Sequence, residues 1–226
     1  MLPLRDENPT RSTPYVNYIL IAINILVFIF QVMLGTSQEA FVYQFALIPE
    51  QVTRGLDVGD VLDIFTSMFM HAGLAHIGGN MLYLWIFGDN VEEAMGHGRY
   101  LFFYLIGGIT ASAAHILTNP GSQLPTVGAS GAIAAVLGAY LILYPQSRVM
   151  TLIFLGYFVR MAMVPAIFVL GLWFVLQLFQ GVLTLGAADV GGVAFWAHIG
   201  GFVAGLILAK LLAKRTERYV QQIPRW

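Results

Sequence analysis

The sequence predicts an all-α polytopic membrane protein, a bundle of six transmembrane helices with the N- and C-termini cytoplasmic. Three observations predict it. The 226 residues are 58% hydrophobic and only 10% charged, where an average soluble domain carries about 25% charged residues, and the mean hydropathy is +0.75. Six apolar runs recur along the chain, at residues 18–34, 74–90, 100–117, 130–144, 162–185 and 193–212, against the roughly 20 residues a spanning helix needs. The basic residues are also one-sided. With the N-terminus inside, Arg5, Arg11, Arg99, Arg148, Arg160, Lys210, Lys214, Arg215, Arg218 and Arg225 are cytoplasmic and only Arg54 is outside. That bias sets orientation, and termini on one side require an even number of crossings.

Taken in order, residues 1–16 read as a short cytoplasmic tail. The apolar run at 18–34 is longer than the ~7–15 residues of a signal-peptide core, so it is expected to be a retained first span. Residues 61–70 fall outside, between spans one and two. Their Phe65, Met68 and Phe69 share one helical face, which predicts a helix lying in the outer interface. Span two carries polar residues near its outer end, and span four is short. Residues 149–158, between Arg148 and Arg160, are placed on the cytoplasmic side with no function assigned. Residues 17–213 then form one six-helix domain, followed by a basic cytoplasmic tail at 214–226. The net charge of −1, without a basic stripe, argues against a nucleic-acid partner. The chain has no cysteine, which excludes disulfides, thiolate catalysis and cysteine metal sites.

Polar residues inside spans are costly and mark functional candidates. Ser130 opens span four in Gly128-Ala129-Ser130-Gly131. The fifteen residues from Ser130 to Tyr144, where Pro145 stops the helix, rise only about 22 Å, less than the hydrocarbon thickness of about 30 Å. Ser130 is therefore expected below the outer surface, with the loop at 125–129 dipping in, which is tolerated only in protein or along a wet cavity. His198 lies roughly 8 Å of helix rise into span six. His76 and Asn80 share one face of span two near its outer end. Small residues at four-residue spacing, Ala197, Gly201 and Gly205 on span six and Ser130, Ala134 and Gly138 on span four, allow close backbone approach. Ser130 and His198 are thereby expected within hydrogen-bonding reach.

A serine hydroxyl needs an adjacent base, for which histidine is suited, and acyl transfer needs donors where the oxyanion develops. Asn80, His76 and the Ser130 backbone N–H, at a helix N-terminus, are the candidate donors. No carboxylate is evident as a third member: Asp89, Glu92 and Glu93 lie at the cytoplasmic end of span two, and Asp189 lies in an outer loop. A Ser–His dyad is the expectation. A zinc His-Glu-x-x-His motif and a pair of aspartates within spans are both missing from the sequence.

Gly128-Ala129-Ser130-Gly131, Ala197-His198-x-x-Gly201-x-x-x-Gly205, and His76-x-x-x-Asn80 preceded by His71 together resemble the rhomboid intramembrane serine proteases, over about residues 61–212. The resemblance implies Ser130 as nucleophile, His198 as general base, and His76 with Asn80 as the oxyanion-stabilising pair. Gly128, Gly131, Gly201 and Gly205 serve helix packing. Glu92 with Gly96 matches a structural acidic motif. No cofactor and no metal are implied. The partners implied are the lipid bilayer and single- or multi-span membrane-protein substrates, cut near the outer face; the location implied is a multi-pass, bacterial inner-membrane one, with the site opening outward. Span five, 162–185, is the gate the family suggests. Two departures stand out: Ala134 replaces an aromatic residue that stacks on the histidine, and Leu62 and Asp63 stand where a Trp-Arg pair is common.

Competing readings are a non-catalytic rhomboid-like client-binding protein, a transporter, and haem binding through His76, His115 and His198. A transport path should continue across the bilayer, where Gln177 is nearly the only strongly polar residue in the inner halves of spans four to six. His115 is read as structural, His71 as a loop or interface residue and His97 as cytoplasmic. Gly186, Gly191 and Gly192, in the loop before span six, are candidate hinges of a lid, with an ordinary flexible connection as the alternative.

Overall fold

The computed structural model describes residues 1–156, 158–185 and 193–214. The candidate hinge Gly186, Gly191 and Gly192, Asp189 and tail residues 215–226, with Arg215, Arg218 and Arg225, lie outside the described residues. Strand β1 (Leu2–Asp6) leads into α1 (Tyr15–Met33), then α2 (Gln38–Phe45), α3 (Pro49–Arg54) and α4 (Val58–Ser67). The long helices α5 (Leu74–Met95) and α6 (His97–Thr118) follow, then α7 (Ser130–Leu143), a hairpin of β2 (Arg148–Leu155) and β3 (Phe158–Pro165), and finally α8 (Ala166–Leu183) and α9 (Phe195–Leu212).

α7 is the hub. Every residue from Gly131 to Tyr140 is buried, as expected of a helix that is apolar all round. It packs against α5, α6, α8 and most extensively α9. The α7–α9 crossing is close because glycines face backbone. A Cβ on Gly201 would lie 2.1 Å from the Gly131 carbonyl oxygen, and one on Gly205 would lie 2.0 Å from that of Ala135. α8 lies at the edge of the bundle, mainly on α9, and exposes Phe168, Val175, Phe179 and Leu183.

Among the described residues, four helices, α1, α6, α8 and α9, are long and apolar enough to cross a membrane, which makes this an integral membrane protein. α7 is a shorter apolar helix of 14 residues, and α5 carries Asp89, Glu92 and Glu93 near its end. The helix expected at 61–70 is met only in part by α4, which ends at Ser67, and Met68, expected on its outer face, is buried in the core. α4 starts at Val58 on a capping box, in which the Asp57 and Asp60 carboxylates accept from each other's backbone N–H, a reciprocal arrangement that satisfies free helix-end donors.

The fold is not helical throughout. β1, β2 and β3 form an antiparallel sheet in that order, with Leu2 opposite Leu152 and Arg148 opposite Pro165. Residues 2–6, within the expected tail, are thus an edge strand. The unassigned run at 149–158 is mostly β2. Residues 162–165, assigned to span five, pair with 148–151, so α8 begins at Ala166. A short apolar run does not reveal whether its period is that of a strand or a helix, and here pairing decided it, of β2 with the remote β1 and of β3 with the adjacent β2.

At the sheet end of the bundle, polar groups saturate one another. The Glu92 carboxylate accepts from the Val16 and Asn17 N–H groups at the start of α1, at 3.0 and 2.7 Å, and meets His97 Nδ1 at 2.5 Å. Anions belong at helix N-termini, where backbone donors are free. The Asn17 side chain donates to the Leu84 carbonyl and accepts from the Tyr100 hydroxyl. Tyr140, near the end of α7, donates to Asp6 of β1 at 2.5 Å. Asn17, Asn24 and Gln31, seven residues apart along α1, are all buried, so a polar seam fixes how α1 faces the bundle, although away from the sheet end Asn24 Oδ1 and Gln31 Nε2 find no partner among the described residues.

Candidate active site

The N-termini of α5, α7 and α9 meet at the opposite end, around a cavity of about 1060 Å³ whose lining includes His76, Asn80, His115, Ser130 and His198. Ser130 is the first residue of α7. Ahead of it, Gly128 adopts φ +137°, a left-handed conformation that favours glycine, and its N–H donates to the Ser67 carbonyl at 2.8 Å. The space is also closed to a side chain, since a Cβ on Gly128 would lie 2.8 Å from His76 Nε2 and 3.5 Å from Ser130 Oγ. The glycine lets the loop pass between these two groups.

Ser130 Oγ is 2.8 Å from His198 Nε2. The other ring nitrogen, Nδ1, is 2.7 Å from Gln177 Oε1 on α8. An amide oxygen only accepts, so Nδ1 carries the proton and Nε2 presents its lone pair to the serine hydroxyl. Trp173, one turn before Gln177, lies against the His198 ring with centroids 5.8 Å apart at 34°. A tryptophan from α8 thus contacts the imidazole where Ala134 of α7 cannot.

His76 Nδ1 accepts from the Ala72 N–H at 3.4 Å, which leaves Nε2 as an N–H on the side of Gly128. Asn80 is buried, and among the described residues no protein atom accepts from its Nδ2. Side-chain donors from α5 and the start of α7, where the first N–H groups of a helix have no intrahelical acceptor, therefore border the same cavity. His71 is fully buried, 5.1 Å from His76 between ring centroids in an edge-on arrangement, and its backbone N–H donates to Gln31 Oε1 of α1. His115 pairs with Thr126 Oγ1 at 3.0 Å, which ties α6 to the loop before α7. His97 is at the sheet end with Glu92.

The Rhomboid domain family model matches residues 58–215, from the start of α4 to just past α9. The chain belongs to the rhomboid family. It is 31% identical to the Rhomboid protease GluP of Bacillus subtilis over 88% of this chain and 35% of that protein. It is 28% identical to the mitochondrial Rhomboid protein 1 of Saccharomyces cerevisiae, over 73% of this chain and 47% of the relative. It is 30% identical to RHOMBOID-like protein 5 of Arabidopsis thaliana, over 73% and 48%. This rhomboid thus spans between about a third and a half of the length of these relatives.

Ser130, His198, His76 and Asn80, singled out from spacing and depth, all border the same cavity of this rhomboid. The sequence offers Gln177 as nearly the only strongly polar residue in the inner halves of spans four to six, where it bears on a transport path alone. Its partner is His198. Which residue it faces depends on the rotation of α8 about its axis, which a helix apolar on every side does not reveal.

Proposed function

We propose that this chain is an intramembrane serine endopeptidase that hydrolyses peptide bonds in or next to transmembrane segments of membrane-protein substrates. The observation that carries the reading is the Ser130 Oγ–His198 Nε2 hydrogen bond of 2.8 Å, made between helices distant in sequence and beside a buried, unpartnered amide donor on Asn80. A buried donor without an acceptor costs free energy, and such a cost is sensible where an oxyanion forms.

Ser130 Oγ attacks the scissile carbonyl carbon while its proton passes to His198 Nε2. Negative charge develops on the carbonyl oxygen and is met by Asn80, His76 and the Ser130 N–H. The C–N bond then breaks, and the Nε2 proton leaves with the amine. Water reverses the sequence on the acyl-enzyme, with His198 again as base. The residues assembled here supply all of these steps without a metal or cofactor. The orientation follows from the charge bias: six spans, α1, α5, α6, α7, α8 and α9, with both termini inside and the Ser130 end outward. At about 21 Å of rise, the 14 residues of α7 do not bridge the bilayer, so Ser130 sits below its outer surface.

The test is cleavage of a single-span substrate by the full chain in liposomes, alongside Ser130→Ala and His198→Ala. Both variants should lose activity by about 10³-fold or more. Cleavage persisting in both refutes the reading.

A further inference from the structure

A dyad leaves open what holds the imidazole so that the Nε2 lone pair meets the serine. The geometry points to Gln177 as a positioning residue, which aligns Ser130, His198 and Gln177 in one hydrogen-bonded line with a neutral amide in the third place. This rests on the serine-protease reading above and extends it. Three observations carry it. The Gln177 Oε1–His198 Nδ1 contact is 2.7 Å, and its acceptor chemistry selects the only tautomer that leaves Nε2 free to take the Ser130 proton. Trp173 precedes Gln177 by four residues, hence on the same face of α8, and its ring contacts the imidazole that Gln177 binds. Apart from Gln180, which is exposed, the rest of α8 is apolar and largely exposed, whereas Gln177 is half-buried. An amide in such a helix is costly unless it is partnered, and His198 is its partner.

The chemistry also explains an amide in place of a carboxylate. An ion buried here would be strongly desolvated, whereas Gln177 orients the ring without introducing charge. During attack, Nε2 gains the Ser130 proton and Nδ1 keeps its own, so the imidazolium retains its hydrogen bond to Oε1. When the amine departs with the Nε2 proton, the ring returns to the same tautomer, ready for the deacylating water. No proton moves to Gln177.

The test uses the full chain in liposomes, with two readouts: turnover of a single-span substrate, and labelling of Ser130 by a fluorophosphonate, with Ser130→Ala as the unlabelled control. Gln177→Leu should lower kcat about 10- to 100-fold with KM within about twofold, and slow labelling in parallel, as expected for losing one part-buried hydrogen bond to the base. Gln177→Glu, which keeps an accepting oxygen at the same reach, should stay at least about fivefold faster than Gln177→Leu. Gln177→Leu within about twofold of the parent, or Gln177→Glu as slow as Gln177→Leu, overturns the proposal. A Gln177→Leu protein whose unfolding temperature falls and whose KM rises as kcat drops makes Gln177 a packing residue, which also overturns it. A parent protein that neither cleaves nor labels overturns the serine-protease reading itself.

Discussion

Two polar regions sit at opposite ends of α7, and they differ in how fully their groups are paired. At the sheet end, the Glu92 carboxylate takes two backbone N–H groups and His97, Asn17 uses both ends of its amide, and Tyr140 donates to Asp6. At the other end, Ser130, His198 and Gln177 form a line, and Asn80 Nδ2 is left over beside a cavity. In a low dielectric, a saturated network rigidifies, whereas an unpaired buried donor is an expense. The first region locks α1, β1 and α5 together. The second keeps hydrogen-bonding capacity in reserve for something that enters the cavity.

The contrast can be broken by mutation. Glu92→Ala strips the acceptor from the start of α1 and should cost about 3 kcal/mol or more of stability, seen as a large drop in unfolding temperature in detergent. Asn80→Ala should do the reverse. It should lower kcat about 10²-fold and leave the unfolding temperature level or raised, since it removes an unpaired buried amide. If Asn80→Ala destabilises as much as Glu92→Ala, the two ends do not differ in kind. Gly205→Ala tests the spacing between helices. Its Cβ would meet the Ala135 carbonyl oxygen at 2.0 Å, and overpacking of this sort costs about 1–3 kcal/mol. Both stability and cleavage should fall, because α9 carries His198.

The smallest effect is at the sheet end. Burial raises the Asp6 carboxyl above its usual pKa, outweighing the Tyr140 hydrogen bond that lowers it. The folded state therefore holds that proton more tightly than the unfolded chain does. The stabilisation is complete below the ordinary aspartate value of about 4 and is lost as pH rises through the folded value. Asp6→Asn should flatten that decline in a series of unfolding temperatures from about pH 4 upward. An unchanged slope removes Asp6 from the account.

Much of the helical frame was legible in the sequence. α5 begins at Leu74, α7 at Ser130, and α9 ends at Leu212, as the apolar runs and Pro145 indicate. The sheet is not legible, because residues 149–158 and 162–165 are apolar in a way that suits a strand or a helix, and β1, which pairs with β2, lies more than a hundred residues away in sequence, while β3 pairs with its neighbour β2. In the candidate site, Ser130, His198, His76 and Asn80 could be picked out because each is a polar residue in an apolar run at a readable depth. His71 lies in the loop before α5, as the sequence suggests, and the structure adds that it is fully buried beside His76, a placement that depends on Gln31 of α1.

The sequence by itself determined that this chain enters a bilayer, roughly where its helices begin and end, and which polar residues stand at similar depth. These follow from transfer free energies and from the rise per residue, which act locally along the chain. Only the tertiary structure decided what those residues face. The 2.8 Å contact of Ser130 with His198, the Gln177 amide behind the imidazole, and the pairing of β1 with β2 all depend on helix rotation and on segments remote in sequence. Hydropathy gives a residue's depth in the membrane but not the azimuth of its side chain, and hydrogen bonding requires both.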